Sequence, residues 1–242
     1  MLDPVDPEPF WNRLEAVRWP AVPAAFDRRL TEVALRFAAA ARQPHVWVSP
    51  PHDTPDDLAA RLLANGFESV GDGLLMVVAD GSAAQASIDR PRPPGAVLHR
   101  FQRLREGPAN DAAEAIVSVL VASFGVGEDR RASIVSETLA TLADPRFVHY
   151  LVTLDDEPVA ATRRATFDGL SYLSSIGTVP GAQGRGLGRW ITAAATADGL
   201  AAGSAWVHLG VFADNPPAIA LYESLGFRTS GAPGPDLILT GP

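Results

Sequence analysis

Gly184, Gly186 and Gly188 alternate with Arg185, Leu187 and Arg189 in the stretch Thr178-Val-Pro-Gly-Ala-Gln-Gly-Arg-Gly-Leu-Gly-Arg189. Lacking Cβ atoms, such a backbone takes positive φ and presses closely on a ligand. A β-branched strand precedes the stretch and an amphipathic helix follows it. In that setting successive N–H groups converge beside the positive end of a helix and form a seat for phosphate oxygens. Arg185 and Arg189, four apart, add charge to it. The spacing differs from the G-x-G-x-x-G of dinucleotide folds, and the C-terminal half has no lysine for a Walker loop. Taken alone, the turn is equally open to a structural reading, in which glycines merely let a helix pack on a strand.

A second constellation follows at Asn215-Pro-Pro-Ala-Ile-Ala-Leu-Tyr-Glu-Ser-Leu-Gly-Phe227. Asn215 suits an N-cap and Pro216 the first helical position. Ala218, Leu221, Tyr222 and Leu225 then fall on one helical stripe. Periodicity by itself makes Tyr222 a core aromatic with a satisfied hydroxyl.

In this order and spacing, the two motifs resemble those of the GNAT N-acetyltransferase superfamily, whose coenzyme A loop reads Val-x-Pro-x-x-Gln/Arg-Gly-x-Gly-x-Gly. Thr178, Pro180, Gln183, Gly184, Gly186 and Gly188 take those places, with Thr178 standing for valine. The resemblance covers about residues 96–242. It implies acetyl-CoA as co-substrate, with no metal. The diphosphate would lie on Gln183, Gly184, Arg185, Gly186, Leu187, Gly188 and Arg189. Backbone groups of Thr178 and Val179 would hold the pantetheine arm, and Asn215 would bond it or fix the helix start. The resemblance makes Tyr222 catalytic, as the acid that protonates the departing thiolate. A small-molecule or peptide amine would attack the thioester directly.

The expected general base is missing. Many relatives carry a glutamate on the strand before the glycine turn, but Leu170-Ser-Tyr-Leu-Ser-Ser-Ile-Gly177 has none. An amine of pKa about 10 must lose a proton before attack, which leaves water relayed by Ser174 or Ser175, or His208, as acceptors. Glu128 and Asp129 could attract a cationic amine, although a solvated turn explains them as well. The missing glutamate also keeps open an alternative, a coenzyme A-binding module with little catalysis.

The elements that must position these residues follow from periodicity and turn residues. Strands are expected at 96–104, 147–154, 159–167, 170–179, 205–212 and within 236–239, and helices at 109–124, 130–142, from the glycine turn to about 202, and 216–225. Asp89-Arg-Pro-Arg-Pro-Pro-Gly95 reads as a linker. It divides an N-terminal domain, 1–95, from an acetyltransferase domain, 96–242. The N-terminal part predicts helices at 24–41 and 54–64 and strands at 45–48 and 74–79. Its Gly66-Phe67 and the later Gly226-Phe227 are separated by 160 residues, an offset that also aligns Val46 with Trp206. This reads as a degenerate half-copy, with Leu62 in place of Tyr222, similar to tandem members of the superfamily such as mycothiol synthases. The fold class expected is α/β (α+β): a mixed, mostly antiparallel sheet flanked by helices on both faces.

Bulk properties narrow the partners. With 47% hydrophobic and 20% charged residues among 242, the chain has the composition of a soluble globular protein. A net charge of -8 argues against nucleic acid. No apolar run is long enough for a membrane span, and the acidic, Pro-rich start MLDPVDPEPFW is unlike a signal peptide. There is no cysteine, and the five histidines lack metal-ligand spacing. A cytoplasmic enzyme, monomer or homodimer, is the expectation.

Overall fold

The computed structural model describes residues 12–50 and 52–240; the acidic start read from residues 1–11 lies outside them. Along the chain run α1 (Pro23–Ala39), β1 (His45–Trp47), α2 (Leu58–Ala64), β2 (Phe67–Val78) and α3 (Ser82–Ile88). Next come β3 (Ala96–Phe101), α4 (Gly107–Phe124), α5 (Arg131–Ala143), β4 (Phe147–Leu154), β5 (Glu157–Phe167) and β6 (Leu170–Thr178). The chain continues with α6 (Leu187–Ala201), β7 (Val207–Phe212), α7 (Pro216–Glu223), β8 (Arg228–Thr229) and β9 (Gly234–Leu239). This is the expected mixed α/β class with mostly antiparallel strands and flanking helices. Two compact units form, and their division cuts across the sequence order. Of the described residues, the first takes those up to 75 with 211–216 and 229–240; the second takes 76–210 and 217–228.

In the first unit, β9 pairs antiparallel with β1 (Val46↔Leu237) and with β2 (Phe67↔Leu239), so it lies between them. Phe26, Val46, Leu58, Leu62, Phe67 and Leu237 form its core. The buried Asp236 carboxylate is held 2.6 Å from His45 Nε2, with Arg13 3.7 Å away on its other oxygen. Strand β2 starts seven residues before the expected Leu74, because its glycines disguised it. At Gly73 the Trp47 indole lies so close that a Cβ would be 2.7 Å from the ring, and Gly71, at φ +145°, sits at a register shift in the β2–β9 pairing. Glycine there marks close approach and a bulge, and the strand runs through both. Helix α2 begins at Leu58 rather than Thr54 because Thr54 is engaged elsewhere. Its N–H donates to Val17 O (2.8 Å) and its carbonyl accepts from Trp19 N–H (2.8 Å).

The second unit orders its strands β3-β4-β5-β6-β7, antiparallel except for the parallel pair β6–β7. Alternation along the strands separates two faces. Leu151 and its partner Ala161 pack into the α4–α5 core, with Ala113, Ile116, Val117, Leu120 and Leu142. On the opposite face Arg164 Nη1 reaches the carbonyl of Asp198 on α6 (3.5 Å), and Ser171 on β6 lies under Gly199 of the same helix, where a Cβ would be 3.1 Å from its Oγ. Residues 89–95 connect α3 to β3 inside this unit. Helix α3 carried no periodic signal because it is seven residues long. Asp80 starts it, accepting the N–H and the hydroxyl of Ser82 at 2.9 Å each, and this keeps the Asp80 carboxyl below its ordinary pKa.

Candidate active site

Parallel pairing of β6 with β7 runs only from Ser171↔Val207 to Leu173↔Leu209. Strand β6 goes on to Thr178, so from Ser174 its edge has no further β7 partner in that register. The opening coincides with an irregularity on the other edge of β6. The β5 register jumps between Ala161↔Gly177 and Arg163↔Ser174, and Ser175 sits at φ +54°. A non-glycine residue in the left-handed region is uncommon and strained. The extra residue of a bulge bends the strand and turns side chains aside, here where the two strands part.

The glycine turn leaves the end of β6. Val179 N–H donates to Val159 O on β5 (2.9 Å) and Ala182 N–H to Val179 O (2.9 Å), so the expected pantetheine-holding amide of Val179 is engaged within the protein. Gln183 folds back to donate from Nε2 to Thr178 O at 3.2 Å. The three glycines then have two different causes. Gly184 (φ +74°) and Gly186 (φ +80°) have open space where a side chain would point, so the left-handed backbone is what demands glycine. Gly188 is a matter of room: a Cβ there would lie 3.0 Å from Thr178 Oγ1 and 3.7 Å from Leu221 Cδ1. Gly186 is the residue before α6, which starts at Leu187, so free amides of the first helical turn follow directly on the turn's N–H groups. Leu187 is buried, so only its backbone can meet a ligand. Arg185 is exposed and Arg189 half-buried.

Tyr222 lies on α7, 7% exposed, its ring centroid 6.0 Å from that of Phe227. Burial, with a smaller contribution from Tyr172, pushes its phenol up to about 12. Tyr172 in turn has its ring 5.2 Å from that of His208, its neighbour across β6–β7. The buried His208 Nδ1 has no hydrogen-bond partner among the described residues. Burial lowers the His208 pKa, partly opposed by a hydrogen bond with the Ser171 backbone. Tyr222, Tyr172 and His208 thus form one cluster, with Tyr172 an addition that sequence reading missed. Ser174 accepts a hydrogen bond from Arg163 Nε (3.2 Å), and Arg163 Nη1 meets Glu137 Oε1 at 2.5 Å. A carboxylate from α5 is therefore linked to β6, but only through the Arg163 guanidinium of β5 to which it is committed. Asn215 immediately precedes α7 yet groups with the first unit, whereas Tyr222 groups with the second. Glu128 and Asp129 stand exposed in a short 3-10 turn before α5.

A sequence profile of the acetyltransferase (GNAT) family matches residues 113–227, a span that runs from within α4 through α7 and takes in the opened strands and the glycine turn. Residues 113–227 are a GNAT acetyltransferase domain. Over 52 residues the chain is 52% identical to a mycothiol acetyltransferase from Nocardiopsis dassonvillei, a stretch that is 22% of this chain and 16% of that relative. Among solved structures, a GCN5-related N-acetyltransferase from Kribbella flavida matches 96% of this chain and 83% of its own with a TM-score of 0.70 at 21% identity. A tandem GNAT protein from the clavulanic acid biosynthesis pathway matches 92% of this chain and 72% of its own, with a TM-score of 0.68 at 16% identity. At such identities the likeness is one of fold. The GNAT family uses acetyl-CoA, and among the described residues no group of three or more His, Asp or Glu is placed to hold a metal ion. No helix among them is long and apolar enough to cross a membrane.

Proposed function

We propose that this GNAT domain transfers an acetyl group from acetyl-CoA to the amine of a small molecule or peptide by direct attack in a ternary complex. The observation that carries this reading is the glycine turn. Two left-handed glycines and a third that has no room for a side chain lead into the first turn of α6, at the end of a strand that has parted from its neighbour. Amides of residues 184–188 grip the diphosphate of the co-substrate, with Arg185 and Arg189 adding charge. The opened edge of β6 leaves a path for the pantetheine arm. Holding amine and thioester together supplies much of the rate enhancement.

Tyr222 protonates the leaving thiolate. With its pKa at about 12 the phenol keeps its proton at every working pH. An unperturbed thiol, at about 8.5, is the stronger acid, so the transfer depends on the thiolate being desolvated too. Apolar burial raises a thiol's pKa as it does a phenol's. His208 takes the proton of the attacking amine. Its lowered pKa keeps the ring neutral, and its buried Nδ1, without a hydrogen-bond partner among the described residues, has a lone pair or proton left for this exchange.

The test is acetyl-CoA turnover, read as free-thiol release, over a panel of amines. Release with any of them, strongly slowed in Tyr222→Phe at unchanged acetyl-CoA affinity, is the expected result. Tight acetyl-CoA binding with no turnover on any acceptor would turn the reading to a binding module. With an acceptor amine of low pKa, neutral across the range, the acid limb of kcat/KM is expected below the ordinary imidazole value of about 6.5, and to vanish in His208→Gln. A limb that survives this change removes His208 from the mechanism.

A further inference from the structure

Four arginines, none with a carboxylate partner among the described residues, converge on one cavity of the second unit. Arg90 and Arg92 come from the proline-rich segment after α3; Arg185 and Arg189 come from the glycine turn and the start of α6. Elsewhere in this acidic chain Arg13, Arg61, Arg100 and Arg163 each meet a carboxylate within 4 Å. None of the four does so among the described residues. Gathering like charges about a cavity of about 120 Å³ is unfavourable unless an anion answers them. That volume is about four times a water molecule's share of liquid, room for a tetrahedral oxyanion.

The cavity wall supplies a second sign. Trp190 is 7% exposed, and its buried Nε1–H has no acceptor among the described residues. A buried donor left unmatched is unfavourable, and an anionic oxygen would satisfy it. Arg92 is already fixed for the task. Its guanidinium stacks 4.6 Å from the Trp190 ring centroid and donates through Nη2 to Ile88 O at 3.1 Å. Pro91 and Pro93 hold the backbone around it in extended form. Arginine's planar fork also suits a phosphate better than a point charge does.

We propose that this cavity seats the 3′-phosphate of the coenzyme A ribose, so that Arg90 and Arg92 select coenzyme A over its 3′-dephospho form. Both arginines lie outside the family-matched span 113–227. The proposal rests on the reading that the glycine turn grips the diphosphate. Arg185 and Gly186 belong to turn and cavity alike, so the cavity opens where the next phosphate of the same molecule, one ribose away, would fall.

Isothermal titration of the full chain with coenzyme A and with 3′-dephospho-coenzyme A tests it. The dephospho form is expected to bind about tenfold more weakly or worse, the worth of one charge-assisted phosphate contact. Its affinity should also fall less steeply with added salt. In the R90A/R92A double variant, which changes two exposed side chains, the two affinities should converge, with an unchanged circular dichroism spectrum. Equal affinities in the unaltered protein overturn the 3′-phosphate assignment and leave the diphosphate reading standing. So does a preference that survives in the folded double variant. Failure of both ligands to bind defeats the diphosphate reading, and this proposal with it.

Discussion

The turn that ends α2 and the turn that ends α7 share one backbone. In the first, Asn65 N–H donates to Leu62 O (3.0 Å) and Gly66 N–H to Leu63 O (3.2 Å); in the second, Leu225 N–H donates to Tyr222 O (2.9 Å) and Gly226 N–H to Glu223 O (3.0 Å). Both glycines are left-handed, at φ +86° and +91°, and both are followed by a buried phenylalanine. Four residues differ before the shared Gly-Phe, and the one that turns inward in both is telling: Leu62 fills the first unit's core, whereas the buried Tyr222 brings a hydroxyl next to Tyr172. A left-handed glycine after a helix satisfies its last carbonyls in proteins of every kind. On the proposed reading the shared turn is scaffolding, and chemistry enters through the residue one turn before it and through the glycine loop ahead of α6.

Substitutions in both turns test this contrast. The largest effect is expected from Gly186→Glu, which forces a non-glycine residue into φ +80° and places a carboxylate at the phosphate seat. Acetyl-CoA affinity should fall by about 100-fold or more, from lost charge-assisted contacts and like-charge repulsion. Calorimetry showing near-native affinity would make the loop scaffolding too. Next comes Tyr222→Phe, for which kcat should drop by about 100-fold, the lower range for a general acid. The reciprocal Leu62→Tyr should add no activity and lower stability by about 1–3 kcal/mol through overpacking, as read in denaturant melts.

The comparison extends to buried imidazoles. In the first unit His45 meets the Asp236 carboxylate; in the second His149 meets the Thr141 hydroxyl at 2.9 Å. Burial, helped by the nearby Arg163 charge, depresses His149 to about 3. Between pH about 6.5 and about 3 the unfolded chain binds a proton that the folded one refuses, so acid favours unfolding in that window, by at most about 1.4 kcal/mol per pH unit. His149→Gln should flatten the fall of Tm across that range; an unchanged slope would place the acid sensitivity elsewhere. The smallest effect is expected from Gly66→Ala. An added Cβ meets only Leu239 Cδ1 at 3.6 Å, so the cost is the left-handed backbone, about 1–2 kcal/mol, with acetyl-CoA turnover untouched. A change in turnover would mean that the first turn is more than scaffolding.

Legibility followed the range of the forces involved. Strand β4 begins and ends at the expected residues, and its hairpin with β5 is set by Asp155 and Asp156, both left-handed as a tight turn requires. Those signals are local. What was missed depended on distant partners: Gly73 of β2, which makes way for Trp47, the Thr54 bridge that delays α2, and the Glu137 carboxylate delivered from α5. Within the site, the glycine turn and Tyr222 could be read because their spacing is local, whereas the Ser175 bulge and the Tyr172–His208 pair arise from strand pairing. Residues 89–95 were read as a linker from their prolines. The arginines that alternate with those prolines line the cavity beside Trp190, a placement that depends on α6 packing nearby.

The placement of β9 bears on how the chain is made. The strand that joins β1 to β2 is drawn from residues 234–239, long after both have left the ribosome. At about 5–20 residues per second, β1 and β2 wait on the order of ten seconds or more for the partner that covers their edges. Open strand edges of that kind recruit neighbouring chains, so the nascent first unit is where a chaperone would have most to shield.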